Sequence, residues 1–298
     1  MTHHRSAHRT SRGDKARQPA RFDRSRHPSR GGMGENPGGR DAPTGTNTRK
    51  RLSQNFLTDT RIAATVVRRS GVDPDDTVIE VGPGRGILTR ALLKRCRQIT
   101  AYELDPKFAK LISDNHRDDP RVTCHHQDFL MALPPRAPFR LVANIPYSRT
   151  SAIIDWCLAA PTLKSATLIT QWEYARKRTG DYGRWSRLTV LSWPQVEWRL
   201  EGRIDRRKFH PVPRVDSAIL HLERRPDPLL PASRQRHFEE LVRLGFTGVG
   251  GDVYHSLRRA VSTGRLRRAF RDADVNPHAQ VGYVSPHEWL RLFDSLTT

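Results

Sequence analysis

The chain has 298 residues, 52 of them Lys or Arg against 31 Asp or Glu, giving a net charge of +21 and a pI of about 11.0. That length allows one large domain, or an ordinary one with a smaller companion, and that field points to polyanionic partners, nucleic acid ahead of acidic membrane surfaces. No stretch approaches the ~18 apolar residues of a membrane span, the N-terminus lacks the apolar centre of a secretory signal, and Cys96, Cys124 and Cys157 have neither metal-ligand nor disulfide-frame spacing, so a cytoplasmic protein without membrane or metal partners is expected.

Residues 1–50 carry 12 Lys or Arg, 4 Asp or Glu and seven glycines, with almost no large apolar side chains. Such a stretch buries too little surface to offset its ordering entropy, and a disordered, Arg/Gly-rich basic tail is expected. The composition suits loose contact with RNA and suits a plain solvated linker equally well. From residue 51 the pattern becomes regular. TVIEVG (77–82) reads as a buried strand and GILTRALLKRC as helix. QITAYELD (98–105) is a second strand, and PKFAKLISDNH a helix with Pro106 in its first turn. RVTCHHQDF, RLVANIP and KSATLITQWE follow as strands, with the helix TSAIIDWCLAA before the last of them. This alternation predicts an α/β fold, a parallel sheet covered on both faces. VEWRLEGRI and SAILHLERR are placed as an antiparallel edge. Prolines 226, 228 and 231 then mark a boundary. The expected organisation is a tail over 1–50, a catalytic domain over 51–227 and a small Arg-rich helical domain over 228–298 that binds RNA.

The chemistry gathers at the carboxyl ends of the predicted strands, where open α/β sheets bind ligands. Glu80 ends the first strand, and Gly82, Gly84 and Gly86 alternate before a helix. Glycines there allow a sharp turn and a close approach of ligand to main-chain N–H groups. The spacing is not that of a pyrophosphate cradle, and a purely structural turn stays open on this loop alone. Glu103, 17 residues beyond Gly86, ends the second strand and suits two ribose hydroxyls. Asp128 closes the third, placed to accept from an adenine amine while Phe129 covers the ring. The set describes an adenosine carried without a pyrophosphate, which suits S-adenosylmethionine.

The fourth strand ends in Asn144, Ile145, Pro146 and Tyr147. An amide oxygen and the Ile145 carbonyl beside a rigid turn supply two acceptors for the two hydrogens of an exocyclic amine, and Tyr147 offers a face for stacking. Gripped in this way, the amine nitrogen has its lone pair freed from the ring and turned towards an electrophilic methyl. A helix-capping asparagine before a loop is the plainer alternative. His125 and His126 are taken as structural.

Four segments, SQNFL (53–57), EVGPGRG, NIPY and FHPVPRVDS (209–217), in this order and spacing, resemble the rRNA adenine N6-methyltransferases. The resemblance covers residues 50–298 and is closest to the Erm family of macrolide–lincosamide–streptogramin resistance, the sister of the KsgA-type small-subunit rRNA dimethyladenosine transferases. It implies a Rossmann-like class I methyltransferase sheet, S-adenosylmethionine as methyl donor, and an adenine of 23S rRNA in the peptidyl-transferase and exit-tunnel region as target. It also implies site residues. Gln54, Asn55 and Leu57 match the segment that closes over the methionine end of the cofactor. Gly82, Gly84, Glu103, Asp128 and Phe129 match the cofactor contacts. Asn144, Ile145 and Tyr147 match the target-amine site, and Phe209 an aromatic on the other face of the flipped base. The expected enzyme is a monomer acting on 23S rRNA before the ribosome is fully assembled. Ile145 and Ser148, where KsgA-type enzymes more often carry leucine and asparagine, favour the Erm reading. The rivals are a KsgA-type enzyme, a non-catalytic nucleic-acid-binding relative and a DNA adenine methyltransferase.

Overall fold

The computed structural model describes residues 54–297. The predicted tail over 1–50 lies outside the described residues. Seven strands form one sheet: β2 (Thr77–Val81), β3 (Gln98–Glu103), β4 (Val122–His126), β5 (Phe139–Asn144), β6 (Leu163–Gln171), β7 (Val196–Ile204) and β9 (Ser217–Arg224). Their order is β4-β3-β2-β5-β6-β9-β7. The first five are parallel, and β9 inserts antiparallel between β6 and β7. The α/β reading holds, with β7 and β9 antiparallel as expected. The chain runs outward from β2 to β4, then returns to the other side of β2 as β5. The strand order therefore reverses between β2 and β5, the position at which such sheets open a crevice for ligand.

Alternation along the strands divides the core. Ile79, Val81, Leu141 and Ala143 join one apolar cluster; Val78 and Val142 join another on the opposite face. Adjacent residues of a strand point to opposite faces, so a sheet buried on both sides needs continuous apolar runs, and these strands have them. Helix α1 (Thr60–Arg69) covers the second cluster with Ala63, Val66 and Val67. Asp59 starts it by accepting from the N–H groups of Arg61 and Ile62 at 2.9 and 3.4 Å, a cap worth about 1 kcal/mol. Helix α2 (Ile87–Leu92) packs beside it through Leu88 and Leu92. Helices α3 (Pro106–Asn115) and α4 (Thr150–Ala159) follow β3 and β5.

Helix α6 (Arg187–Ser192) escaped the sequence reading, and so did three further elements. Helix α1 is one. Helix α5 (Trp172–Thr179) starts directly after β6 ends at Gln171, so Trp172 and Glu173, read as the end of the strand, open a helix instead. The third is a two-stranded pair, β1 (Phe56–Leu57) with β8 (Phe209–His210). Two residues carry no period, so no local pattern announces such strands.

Beyond β9 the chain is helical, as predicted: α7 (Ala232–Gly245), α8 (Val253–Leu257), α9 (Thr263–Asp272) and α10 (Pro286–Thr297). Phe238, Val242, Leu266, Phe270, Trp289 and Phe293 build a third cluster. Val190, from helix α6 (Arg187–Ser192), belongs to it as well.

Candidate active site

A cleft opens at the carboxyl edge of β2, β3 and β5. Its wall brings together Gln54, Asn55, Gly82, Gly84, Glu103, Asp128, Phe129, Asn144, Ile145 and Pro146. These predicted residues come from separate segments of the chain, and the strand order alone makes them neighbours.

The floor is the glycine turn. Gly82, Gly84 and Gly86 have φ of 66°, 53° and 74°, the left-handed region that costs other L-residues ~1–2 kcal/mol. A Cβ on Gly84 would stand 2.9 Å from the ring of Phe56, so the turn also needs a residue without a side chain for space. Glu103 binds this turn to its own strand end. One carboxylate oxygen accepts from the Gly84 N–H and the other from the Asp105 N–H, both at 3.0 Å. Burial raises its pKa above the usual carboxylate value, against the pull of those two N–H groups. Asp128 caps the short turn Phe129–Met131 by accepting from the Leu130 N–H at 3.0 Å, and its other oxygen pairs with Arg149. Burial raises the Asp128 pKa, but the Arg149 and Leu130 hydrogen bonds outweigh it and hold the carboxyl below its ordinary value. Phe129 is buried, its ring 4.4 Å from Trp156 and 5.7 Å from Tyr102.

Asn144 is half-buried at the end of β5, and its Nδ2 donates to the Asn55 carbonyl at 2.8 Å. That bond orients the carboxamide and leaves Oδ1 as an acceptor. Gln54 also lines the cleft, and its buried Oε1 has no hydrogen-bond partner. A buried acceptor without a donor is costly in a closed protein, and here it belongs to the cleft wall.

Four predicted residues lie off the wall. Leu57 is 3% exposed and Phe209 2% exposed; they face each other in the β1–β8 register and belong to the second core cluster. Leu57, expected over the cofactor, and Phe209, expected against a flipped base, both rest in the core here, tying the N-terminal segment to the loop before β9. Glu80 lies beneath the glycine turn. One oxygen accepts from Thr89 Oγ1 at 2.7 Å, the other is buried without a partner, and burial pushes its pKa to about 8. Tyr147 stands beside the cleft on the turn Tyr147–Arg149, its hydroxyl 2.7 Å from Ser217 Oγ. The same bond ties the turn to the first residue of β9.

The sequence reading missed Phe56, Tyr102, Leu104, Gln127 and Arg149 in the wall. A signal existed for Phe56. Phe56 and Leu57 are consecutive in a strand and must face opposite ways, so only one of SQNFL's two apolar residues was free to reach the cleft. No local signal marks Arg149, whose role depends on Asp128 lying across the cleft from it.

The donor set fits an adenosine-bearing methyl donor. Carboxylates stand at the ends of neighbouring strands, an aromatic wall stands at Phe129, and Gln54 in the same wall keeps a buried oxygen without a partner. Among the described residues no group of three or more His, Cys, Asp or Glu side chains is arranged to hold a metal ion.

Residues 45–298 match the family profile of ribosomal RNA adenine dimethylase. An rRNA adenine N-6-methyltransferase of Saccharopolyspora erythraea is 50% identical over 248 residues, 83% of this chain; the match spans only 65% of that longer protein. A second, from Streptomyces fradiae, is 51% identical over 252 residues, covering 83% of this chain and 78% of its own length. The crystal structure of the 23S rRNA methyltransferase ErmE superposes with a TM-score of 0.79 at 50% identity, over 82% of this chain and all of that one (100%). With its glycine turn, its strand-end carboxylates and its Asn-Ile-Pro edge in one cleft, the chain belongs to the ribosomal RNA adenine dimethylase family of S-adenosylmethionine-dependent methyltransferases, in its Erm branch.

Proposed function

We propose that this protein transfers a methyl group from S-adenosylmethionine to N6 of one adenine in 23S rRNA, in the peptidyl-transferase and exit-tunnel region, and so protects the ribosome from macrolide-type antibiotics. It acts as a cytoplasmic monomer on RNA not yet fully assembled into ribosomes. The helical segment over 228–298 serves as an RNA-binding unit beside the methyltransferase domain over 51–227. Among the described residues no helix is long and apolar enough to cross a membrane.

The carrying observation is the Asn144 carboxamide, its nitrogen held by the Asn55 carbonyl and its oxygen left as an acceptor at the mouth of the cleft. S-adenosylmethionine, bound in the cleft, supplies an electrophilic sulfonium methyl. Glu103 and the glycine turn hold the ribose, Asp128 and Phe129 the adenine, and Gln54 and Asn55 the methionine end. Asn144 Oδ1 and the Ile145 carbonyl accept the two amine hydrogens of the target base, and Pro146 keeps the turn that carries them rigid. Tyr147 stacks on the extruded base. Extrusion costs a few kcal/mol, less from an unpaired site, and stacking on an aromatic returns ~1–3 kcal/mol. The bound donor would supply the methyl for a new N–C bond, the electron pair of the broken C–S bond remaining on its sulfur. The amine becomes acidic only then, and its proton passes to water. No strong base is required, so the rate comes chiefly from positioning.

Base-resolved mapping of N6-methyladenosine in rRNA from expressing cells tests this. A new methylated adenine in 23S rRNA is expected, with 16S rRNA unchanged. Modification confined to 16S rRNA would move the protein to the small-subunit enzymes, and none in either would leave a non-catalytic binder.

A further inference from the structure

We infer that a basic cleft between α1 and α2, on the outer surface of the helix layer, binds the phosphodiester backbone of an rRNA helix flanking the target adenine. The inference rests on the reading of the protein as an rRNA methyltransferase and adds a second surface to it.

The basis is charge balance. Much of the basic charge on the sheet-bearing part of the molecule is neutralised. Arg140 and Lys164 pair with Asp76, Arg199 with Glu223, Lys208 with Asp59 and Arg207 with Asp205. A second groove has four arginines, Arg203, Arg206, Arg207 and Arg214, yet Glu173, Asp205 and Asp216 line it too. The α1–α2 cleft is different. Arg68, Arg90, Lys94, Arg95 and Arg121 line it, with no carboxylate among the lining residues. Arg121 has an acidic partner, Asp119. Arg68 and Arg90 donate to neutral oxygens, Thr65 Oγ1 and the Arg85 carbonyl, and no carboxylate pairs with Arg68, Arg90, Lys94 or Arg95 among the described residues.

Like charges gathered around one groove repel, and a protein that leaves them without counter-ions keeps them for a polyanion. The floor is apolar, with Ala64, Ile87 and Ala91 between the cationic walls. It offers no acidic acceptor for base amines, so the recognition is of backbone, not of sequence. One end of the cleft lies next to the active-site turn. Ile87 follows the glycine turn directly, and Arg85 in that turn lies over the ring of Phe56, 5.4 Å from its centroid, in the cofactor wall.

The test compares two double variants that each remove two positive charges. Lys94→Gln with Arg95→Gln removes the exposed end of the cleft; Lys110→Gln with Arg117→Gln removes two exposed cations that pair with Asp114 on α3. Binding of a 23S rRNA hairpin carrying the target loop is measured over a series of salt concentrations, with thermal melting as the check on folding. Each phosphate that is no longer neutralised lowers the slope of log affinity against log salt by about 0.7–0.9, so the cleft variant should lose about 1.5 from that slope and the control nothing. Arg68→Gln, on the facing wall, should lose about half as much. Equal slopes for the two double variants would overturn the inference, because the net field alone would then account for binding. Should the unmodified protein bind the hairpin and the cleft variant match it, this inference fails alone; should the unmodified protein bind no RNA, the functional reading falls first and takes this one with it.

Discussion

The two ends of the same sheet treat their polar groups differently. At the amino ends of the strands Asp76 is closed. It is 5% exposed, accepts from Arg140 and Lys164 at 2.6 Å each and takes the Asp73 N–H as well. At the carboxyl ends Asp128 is paired with Arg149, but the groups around it are held in place and left incomplete. Gln54 keeps a buried oxygen without a donor, Glu103 is bound through main-chain N–H groups, and Asn144 commits its nitrogen and not its oxygen. The difference teaches that this fold saturates polar groups where they serve stability and orients them without saturating them where a ligand completes the set.

Breaking the closed end should cost stability and spare chemistry. Asp76→Ala leaves Arg140 without its carboxylate, and a loss of about 3 kcal/mol is expected, the low end for a severed buried pair because Lys164 reaches solvent. Chemical denaturation reads this, while turnover of the folded fraction stays unchanged. The difference also depends on pH. Burial raises the Asp76 pKa, but its cations and the Asp73 N–H outweigh burial and hold the folded value below 3.8. The unfolded chain therefore binds the proton first, and the stability owed to Asp76 is full above the unfolded pKa and lost as pH falls through the folded one. Parent and variant should converge in acid; a gap that persists there would mean the loss is one of packing, not of charge.

Breaking the open end should do the reverse. Asn144→Ala should lower turnover by roughly 100-fold or more, since the amine loses the acceptor that positions it, with the melting temperature nearly unchanged and calorimetric binding of S-adenosylmethionine largely retained. A variant as active as the parent would remove the residue from the mechanism. Gly84→Ala acts between the two regimes. The φ of 53° and the Phe56 ring at 2.9 Å oppose a Cβ, so stability should fall by ~1–2 kcal/mol and cofactor affinity should fall with it. The smallest effect is expected from Tyr147→Phe, which keeps the stacking face and loses only the bond to Ser217. About 1 kcal/mol is at stake, read as a rise of a few fold in KM for RNA with kcat retained. A larger fall in kcat would show that the hydroxyl positions the Asn-Ile-Pro-Tyr turn itself.

The sheet was legible because its strands are uninterrupted apolar runs separated by helical periods, and a parallel sheet buried on both faces demands that pattern. The carboxylates Glu103 and Asp128 and the amide Asn144 were legible as candidates because each ends a run, and a strand end in such a sheet is where side chains meet ligand. Phe209 misled for a physical reason. An aromatic in a loop next to a proline looks exposed from its neighbours in sequence, yet a two-residue strand pairs it with Leu57 and turns it into the core. That pairing spans some 150 residues, as does the bond from Thr58 to the Lys208 carbonyl, for which |i−j| is 150. No local signal carries information over such a distance.

By itself the sequence determined the succession of strands and helices, the backbone freedom at Gly82, Gly84 and Gly86, and the residue types available at each strand end, because these depend on side-chain period, on the absence of a Cβ and on local charge. Tertiary structure alone decided that β5 returns beside β2, that Asn55 holds Asn144, that Arg149 meets Asp128, and that Leu57 and Phe209 leave the site for the core. It also decided which cations are neutralised and which are left facing one another across α1 and α2. A charge in a sequence has no partner until the chain folds, and an active site of this kind is a set of partners.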